Sequence, residues 1–323
     1  MIVSRARVKT VLQVLVMVGL LTYLGWNIDF DQLMAVIGDV RVGWLLGPFL
    51  LGIALLWLNA FRWQLLLQTA TDENVPLWRL AYSDTVGQFF GVFLPSDTGS
   101  DVFRIYDLSR MKYTVSQSAI SVLSTRGFGL LAQGLLIGFG LLTAREFIIH
   151  DLVLYITVAY AVLTAGLSLV IIDWRVLELL VQRGRSLGEA RNKHVASVAV
   201  LAQETISMLG GRRTVGLSLF LAVCHQLIIV AILYFYGLAI GLSLPLSGLV
   251  LVSPLIGLIS ALPLSINALG LREGAFVYFM ARFGATNEQG LLLALLVRLI
   301  LGGVFPLLGG LLFLVFGRPL PSR

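Results

Sequence analysis

Apolar runs long enough to cross about 30 Å of hydrocarbon recur from one end of this chain to the other, and no other feature limits its fold as tightly. Clean runs fall at about residues 8–26, 43–66, 115–143, 152–172, 214–236 and 288–316. With 58% hydrophobic residues, 12% charged residues and a mean hydropathy of +0.93, the 323 residues carry more apolar surface than a soluble core can hide. In lipid every backbone N–H and C=O must be satisfied within its own segment, so the expected class is an all-α polytopic membrane protein. Two more apolar stretches, about 77–94 and 246–262, each run into a proline, Pro95 or Pro263, followed by a polar, glycine-containing segment. These read as re-entrant, broken helices. The expectation is one membrane domain over residues 1–323, with six spans plus two broken-helix hairpins, about eight helices.

Lysine and arginine set the orientation. Arg5, Arg7 and Lys9 place the N-terminus in the cytoplasm, ahead of a long apolar run with no close small-residue cleavage site, so an uncleaved signal anchor is expected. The 27–41 loop, with Asp29, Asp31 and Asp39 against Arg41, suits the outside. The segment 173–213 holds the densest basic cluster (Arg175, Arg183, Arg185, Arg191, Lys193, Arg212 and Arg213) and belongs inside as amphipathic helix on the membrane surface or as a partner site. Arg318 and Arg323 put the C-terminus inside too. The formal charge of +6 lies between spans, which fits anionic lipid headgroups and not nucleic acid. The single cysteine, Cys224, sits in an apolar segment and reads as a small buried hydrophobe; no Cys/His metal spacing occurs and no cofactor is expected.

The two breaks resemble each other. FLPSDTGSDVFR (93–104) and ALPLSINALGLRE (261–273) each contain Leu-Pro, a nearby serine, a glycine and an arginine, with nine residues from Pro95 to Arg104 and from Pro263 to Arg272. Each is followed by a span with an arginine in its body, Arg126 or Arg298, and preceded by a span with a polar member, Arg62 or His225. Pro76 and Pro245 stand before the two approaches. The charge signs start the first unit outside and the second inside. An inverted repeat is therefore expected, about 43–143 and 214–316, joined by spans and the basic segment 173–213. Interrupted segments in inverted halves point to a binding site at the repeat interface.

Chemically, each break starts a new helix whose first N–H groups lack partners and carry partial positive charge. Ser96, Asp97, Thr98 and Ser100 can cap the first, and Ser265 and Asn267 the second. An arginine a turn inside adds a planar, permanently charged fork that matches phosphate or carboxylate. The candidate headgroup residues are Arg104, Arg272, Ser96, Asp97, Gly99, Asp101, Arg126, Glu273 and Arg298. Asp101, three residues before Arg104, is equally placed to pair with it, and Glu273 can reach Arg298 or Arg126. Arg126 and Arg298 either face a cavity or snorkel to an interface. Arg62, between Phe61 and Trp63, reads as an interface anchor, His225 with Gln226 as a hydrogen-bonded core group, and Asp84 as a possible lining residue. The glycines of GFGLLAQGLLIGFG and LGGVFPLLGG suit close helix packing.

NAFRW, FLPSDTGSDVFR, the STR of the next span, and LPLSINALGLREGA with the later LVR resemble the membrane region of lysylphosphatidylglycerol synthases, which also occurs alone in flippase-like integral membrane proteins. The resemblance runs from about residue 10 to 316. It implies an inner-membrane protein that handles lipids; in the full synthases this region moves aminoacylated phosphatidylglycerol between leaflets while a soluble domain makes it. The spans consume the residues here, so aminoacylation is not expected. Family members often carry Gly-Gly-Leu-Gly before the Arg-Glu pair, where this chain has Asn267-Ala268-Leu269-Gly270.

The leading expectation is a lipid flippase or lipid-binding transporter for an anionic or phosphate-bearing lipid, phospho- or polyprenyl-linked, and not an enzyme. A second reading is an accessory protein presenting lipid-linked substrates to a separate glycosyltransferase or lipid-modifying enzyme, docked on the 173–213 loop. A third, an intramembrane lipid-phosphate enzyme using Asp97, Asp101 and His225, lacks any recognisable acid–base or nucleophile spacing. No nucleotide-binding loop is present, so uphill transport needs a gradient or a partner.

Overall fold

The computed structural model describes residues 5–69, 75–93, 98–111, 113–147, 151–172 and 211–316, and all regular structure among them is helical. Pro95, Ser96 and Asp97, and the basic segment up to residue 210, lie outside the described residues. Among the described residues four helical stretches are long and apolar enough to span a bilayer: Val42–Gln68, Val115–Thr143, Arg212–Ala239 and Asn287–Phe316. At the N-terminus the apolar helix Thr10–Trp26 meets Phe30–Gly38 at an angle of 81°. Two shorter apolar helices are Val153–Ser168 and Leu246–Ala261.

In chain order the helices are α1 (Arg5–Trp26), α2 (Phe30–Gly38), α3 (Leu46–Gln68), α4 (Leu77–Phe93), α5 (Thr98–Ser109) and α6 (Val115–Thr143). They continue as α7 (Asp151–Ile172), α8 (Arg212–Ala239), α9 (Leu246–Ala261), α10 (Leu271–Met280), α11 (Asn287–Leu299) and α12 (Phe305–Phe316).

The acidic 27–41 stretch is more ordered than a loop. Asp29 caps α2 by accepting from the N–H groups of Asp31 and Gln32. Its own N–H donates to Glu288 at 3.1 Å, and Arg41 N–H donates to the Ala239 carbonyl at 2.8 Å. These bonds stitch the segment to the ends of α11 and α8.

The stretch 288–316 is helical throughout but not uniform. A π turn, Ile300–Val304, separates α11 from α12. Pro306 explains it: proline has no N–H to give and its ring crowds the carbonyl four residues back, so the turn before it widens.

A short helix follows each break. In the first, α5 returns antiparallel along α4, with Phe90 stacked on Phe103 and Arg79 paired to Asp107 at 3.1 Å. Gly87 permits this closeness, because a Cβ there would lie 2.9 Å from the Ser100 carbonyl oxygen. In the second, α10 packs chiefly on α11 and is tied to α9 by a bond of 3.3 Å from Arg272 Nε to Ser260 Oγ. Gln13 of α1 donates to the Pro263 carbonyl at 3.1 Å and so satisfies the broken backbone from outside the hairpin.

The largest buried cluster joins α8, α9, α10 and α11 around Tyr236, Leu249, Leu251, Phe279 and Leu293. Helix α12 packs on α4 at Gly309, where a Cβ would collide with the Thr85 carbonyl oxygen. Lipid tails offer no hydrophobic drive for helices to associate, so such small-residue crossings, with close van der Waals contact, hold the bundle together. Of the glycines in the α6 run, Gly134 and Gly140 lie against Thr164 and Leu251, whereas Gly127 and Gly129 face open space.

Candidate functional site: an arginine-lined cavity between two broken helices

Two carboxylate–arginine pairs each join the helix after a break to the longer helix that follows it. Asp101, in the first turn of α5, accepts from Arg126 Nε of α6 at 2.6 Å. Glu273, in the first turn of α10, accepts from Arg298 Nε of α11 at 2.7 Å. Both pairs join residues 25 apart. Both arginine-bearing helices also open with the same capping box. Thr114 accepts from Gln117 N–H at 3.2 Å while Gln117 Oε1 accepts from Thr114 N–H at 3.0 Å. Thr286 and Gln289 repeat this at 3.3 and 3.0 Å. From cap to arginine is 12 residues in each case. The match by Pro-to-Arg interval thus runs four residues out of step with the match made by caps and ion pairs.

That shift separates Arg104 from Arg272. Arg104 turns back into its own half, where it pairs with Asp84 of α4, lies 3.9 Å from Asp101, and stacks over the Trp63 ring at 5.7 Å. Asp84 is 1% exposed and also accepts from Asn59 at 3.0 Å and Gln88 at 3.3 Å. Beside it Arg62, 3% exposed, donates to the Thr125 carbonyl at 3.0 Å, and Trp63 donates to Ser121 Oγ at 3.0 Å. Arg62 is therefore a buried structural cation and not an interface anchor. The signal was in the helix phase: Asn59, Arg62, Trp63 and Leu66 recur at three- and four-residue steps, one face of α3.

In the second half, Glu273 does two jobs. Besides Arg298, it accepts from the Gly270 N–H at 2.7 Å, which caps α10. The approach to that cap is bent tightly: Asn267, Ala268 and Gly270 have φ of 50°, 52° and 78°. This backbone favours glycine, yet the chain holds the turn with Asn267 and Ala268.

Between the helices around the two breaks lies a cavity of about 290 Å³. Gln88, Ser100 and Arg126 line it from α4, α5 and α6, and Asn267, Arg272 and Arg298 from the second break, α10 and α11. Leu301 and Gly302 of the π turn form part of its wall. Among the described lining residues there is no carboxylate; Asp101 and Glu273 stand behind Arg126 and Arg298. The Arg126 side chain is 41% exposed and that of Arg298 22%, against 12% for Arg104.

The cavity thus brings together Arg126, Arg272 and Arg298, with Asp101 and Glu273 as their supports. It does not include Arg104, and Gly99 is buried in the first turn of α5. Ser96 and Asp97 fall outside the described residues. Asp84 holds Arg104 behind the cavity wall, while His225 and Cys224 are half-buried on α8 and absent from the lining. No cluster of three His, Cys, Asp or Glu among the described residues is placed to hold a metal ion. What the cavity offers is planar donors and positive charge, which suits an oxyanion.

An apolar groove of about 400 Å³ lies further along the same α4–α12 pair, lined by Trp57, Trp78, Tyr82, Thr85, Leu312 and Phe316. One helix pair therefore borders both a cationic cavity and a hydrocarbon-like groove.

The family model for the lysylphosphatidylglycerol synthase TM region matches residues 10–310, nearly the whole chain. No curated protein matches it.

Proposed function

The chain belongs to the lysylphosphatidylglycerol synthase transmembrane-region family, membrane proteins linked to lipid handling, and from that premise we propose that it binds the headgroup of an anionic, phosphate-bearing lipid between two inverted halves and passes it across the bilayer. One observation carries this reading: Arg126, Arg272 and Arg298, from both sides of the molecule, line one cavity. Charged side chains inside a membrane are costly unless they are paired or face a polar cavity, and here they do both. The repeated caps and the two pairs spanning 25 residues support the inverted repeat; the apolar groove along α4 and α12 supports a ligand with hydrocarbon tails.

In this reading the broken helices serve as paired gates in a six-span, two-hairpin bundle of the inner membrane, with both termini cytoplasmic. Exposure alternates as the headgroup is held differently in two states. No bond is made or broken in the cavity, and uphill movement draws on a gradient or a partner. The test is leaflet exchange in proteoliposomes with a fluorescent phosphatidylglycerol, read by quencher protection. Wild type is expected to accelerate exchange, and Arg272→Gln and Arg298→Gln to abolish it. Exchange that both variants support at the wild-type rate would sink the mechanism. Retained lipid binding without exchange would favour presentation of the lipid to a separate enzyme.

A further inference from the structure

We propose that Gln88 selects the headgroup: its side-chain carbonyl accepts a hydrogen bond from a neutral hydroxyl carried beside the ligand's phosphate. The cavity then prefers a polyol phosphate to one whose arm is bare alkyl or ends in an ammonium. The proposal rests on the reading of the cavity as a headgroup site and names the feature of the headgroup that this residue selects.

Gln88, on α4, has one end of its amide committed. Its Nε2 donates to Asp84 Oδ2 at 3.3 Å, and Asn59 Nδ2 donates to the same oxygen at 3.0 Å. Asp84 is 1% exposed, and its other oxygen pairs with Arg104. A carboxylate held by an arginine offers acceptors only, so an amide that meets it must present its NH2. This dictates which way round the Gln88 amide stands, with its carbonyl oxygen turned away from Asp84. The contact with Asp84 is the one hydrogen bond that this amide makes among the described residues. Gln88 also lines the cavity, together with Gly91 and Ser100. Its carbonyl is therefore an acceptor oriented before any ligand arrives. Arg104, which stays out of the cavity, acts on it at one remove: it holds Asp84, and Asp84 turns Gln88.

An acceptor set among cations calls for a ligand with two features at once, an anion and a hydrogen-bond donor. An ammonium would also donate, but the described lining residues include three arginines and no carboxylate, so a second cation meets like charge. A hydroxyl meets none. A headgroup arm ending in alkyl carbon excludes water and leaves the Gln88 carbonyl unmatched, which is how a polar site rejects an analogue lacking the hydroxyl. The chemistry is shared by a lipid with a polyol headgroup and by a soluble polyol phosphate.

The test is equilibrium binding to the purified full chain in neutral detergent. The main probes are dioleoyl phosphatidylglycerol and dioleoyl phosphatidylethanol, which carries the same phosphodiester and charge without a hydroxyl. Dioleoyl phosphatidylethanolamine and dioleoyl phosphatidylcholine are the zwitterionic probes, and glycerol phosphate is the soluble competitor. Phosphatidylglycerol is expected to bind at least about fivefold more tightly than phosphatidylethanol. In Gln88→Leu that ratio is expected to fall below about twofold, through weaker binding of phosphatidylglycerol with phosphatidylethanol unchanged. The wild-type comparison needs no variant, so a poorly folded Gln88→Leu does not remove the test. Equal binding of the two anionic lipids to wild type would overturn the inference while leaving a headgroup site. A preference that survives in Gln88→Leu, or an equal loss of both lipids, would overturn the role of Gln88. Phosphatidylethanolamine bound as tightly as phosphatidylglycerol would overturn the choice of a neutral donor. If all four lipids bound alike, the headgroup reading itself would fail. Displacement of phosphatidylglycerol by micromolar glycerol phosphate would assign the site to a soluble polyol phosphate and overturn the lipid source.

Discussion

The two broken-helix ends are built from the same parts and use them differently. In the first, the arginine of the new helix, Arg104, is spent inside its own half on Asp84 and Trp63, and the cavity receives Arg126 of the following span. In the second, both the helix arginine, Arg272, and the span arginine, Arg298, line the cavity. Around the first break, Arg104, Asp84, Asp101 and Arg126 thus form a largely buried ion-pair network beside the cavity. The second half supplies most of the charge. A single substitution at equivalent-looking positions should accordingly hurt stability in one half and ligand binding in the other.

The largest expected effect tests the wall. Arg104→Ala leaves the Asp84 carboxylate buried without its cation, which costs about 3–5 kcal/mol. A sharp fall in thermal stability in detergent is expected, with partial rescue by Asp84→Asn in the same chain; a melt like wild type would erase the contrast. Next, Arg272→Gln is expected to shift the melting temperature little and to weaken binding of an anionic lipid about tenfold, as read by native mass spectrometry. Loss of stability comparable with that of Arg104→Ala would make the halves alike after all.

A smaller effect compares the two carboxylate–arginine pairs. A double-mutant cycle with Glu273→Gln and Arg298→Gln should show coupling of about 1–3 kcal/mol, and the Asp101/Arg126 cycle less, because Arg126 is the more exposed partner. Reversed magnitudes in the melts would place the firmer pair in the first half. The smallest effect concerns the bend at α10. Ala268→Gly relieves a side chain held at φ 52° and should raise stability by about 1 kcal/mol without altering lipid binding. A destabilised variant would mean that Ala268 packing outweighs the backbone strain.

Much of this molecule is legible in one dimension. Long apolar runs, prolines that stop them and arginines just beyond mark where helices lie and break, because a bilayer permits few alternatives. The Glu273–Arg298 pair is among the possibilities the letters allow. The pairing of Asp101 with Arg126 is not, since Arg104 stands closer in sequence and competes for the same carboxylate. The expected repeat illustrates the limit. The Pro-to-Arg interval equates Arg104 with Arg272, whereas the Thr-x-x-Gln caps and the pairs spanning 25 residues equate Asp101 with Glu273 and Arg126 with Arg298. The caps were readable in advance as two Thr-x-x-Gln motifs, each 12 residues before an arginine.

The sequence by itself determined that the chain is helical and membrane-bound, and where its helices are interrupted, because hydrocarbon thickness and backbone hydrogen bonding act locally along the chain. Only the tertiary structure decided which arginines face the cavity. That choice depends on helix rotation and on which carboxylate lies nearest in space, and Asp84 reaches Arg104 from a neighbouring helix before any headgroup can.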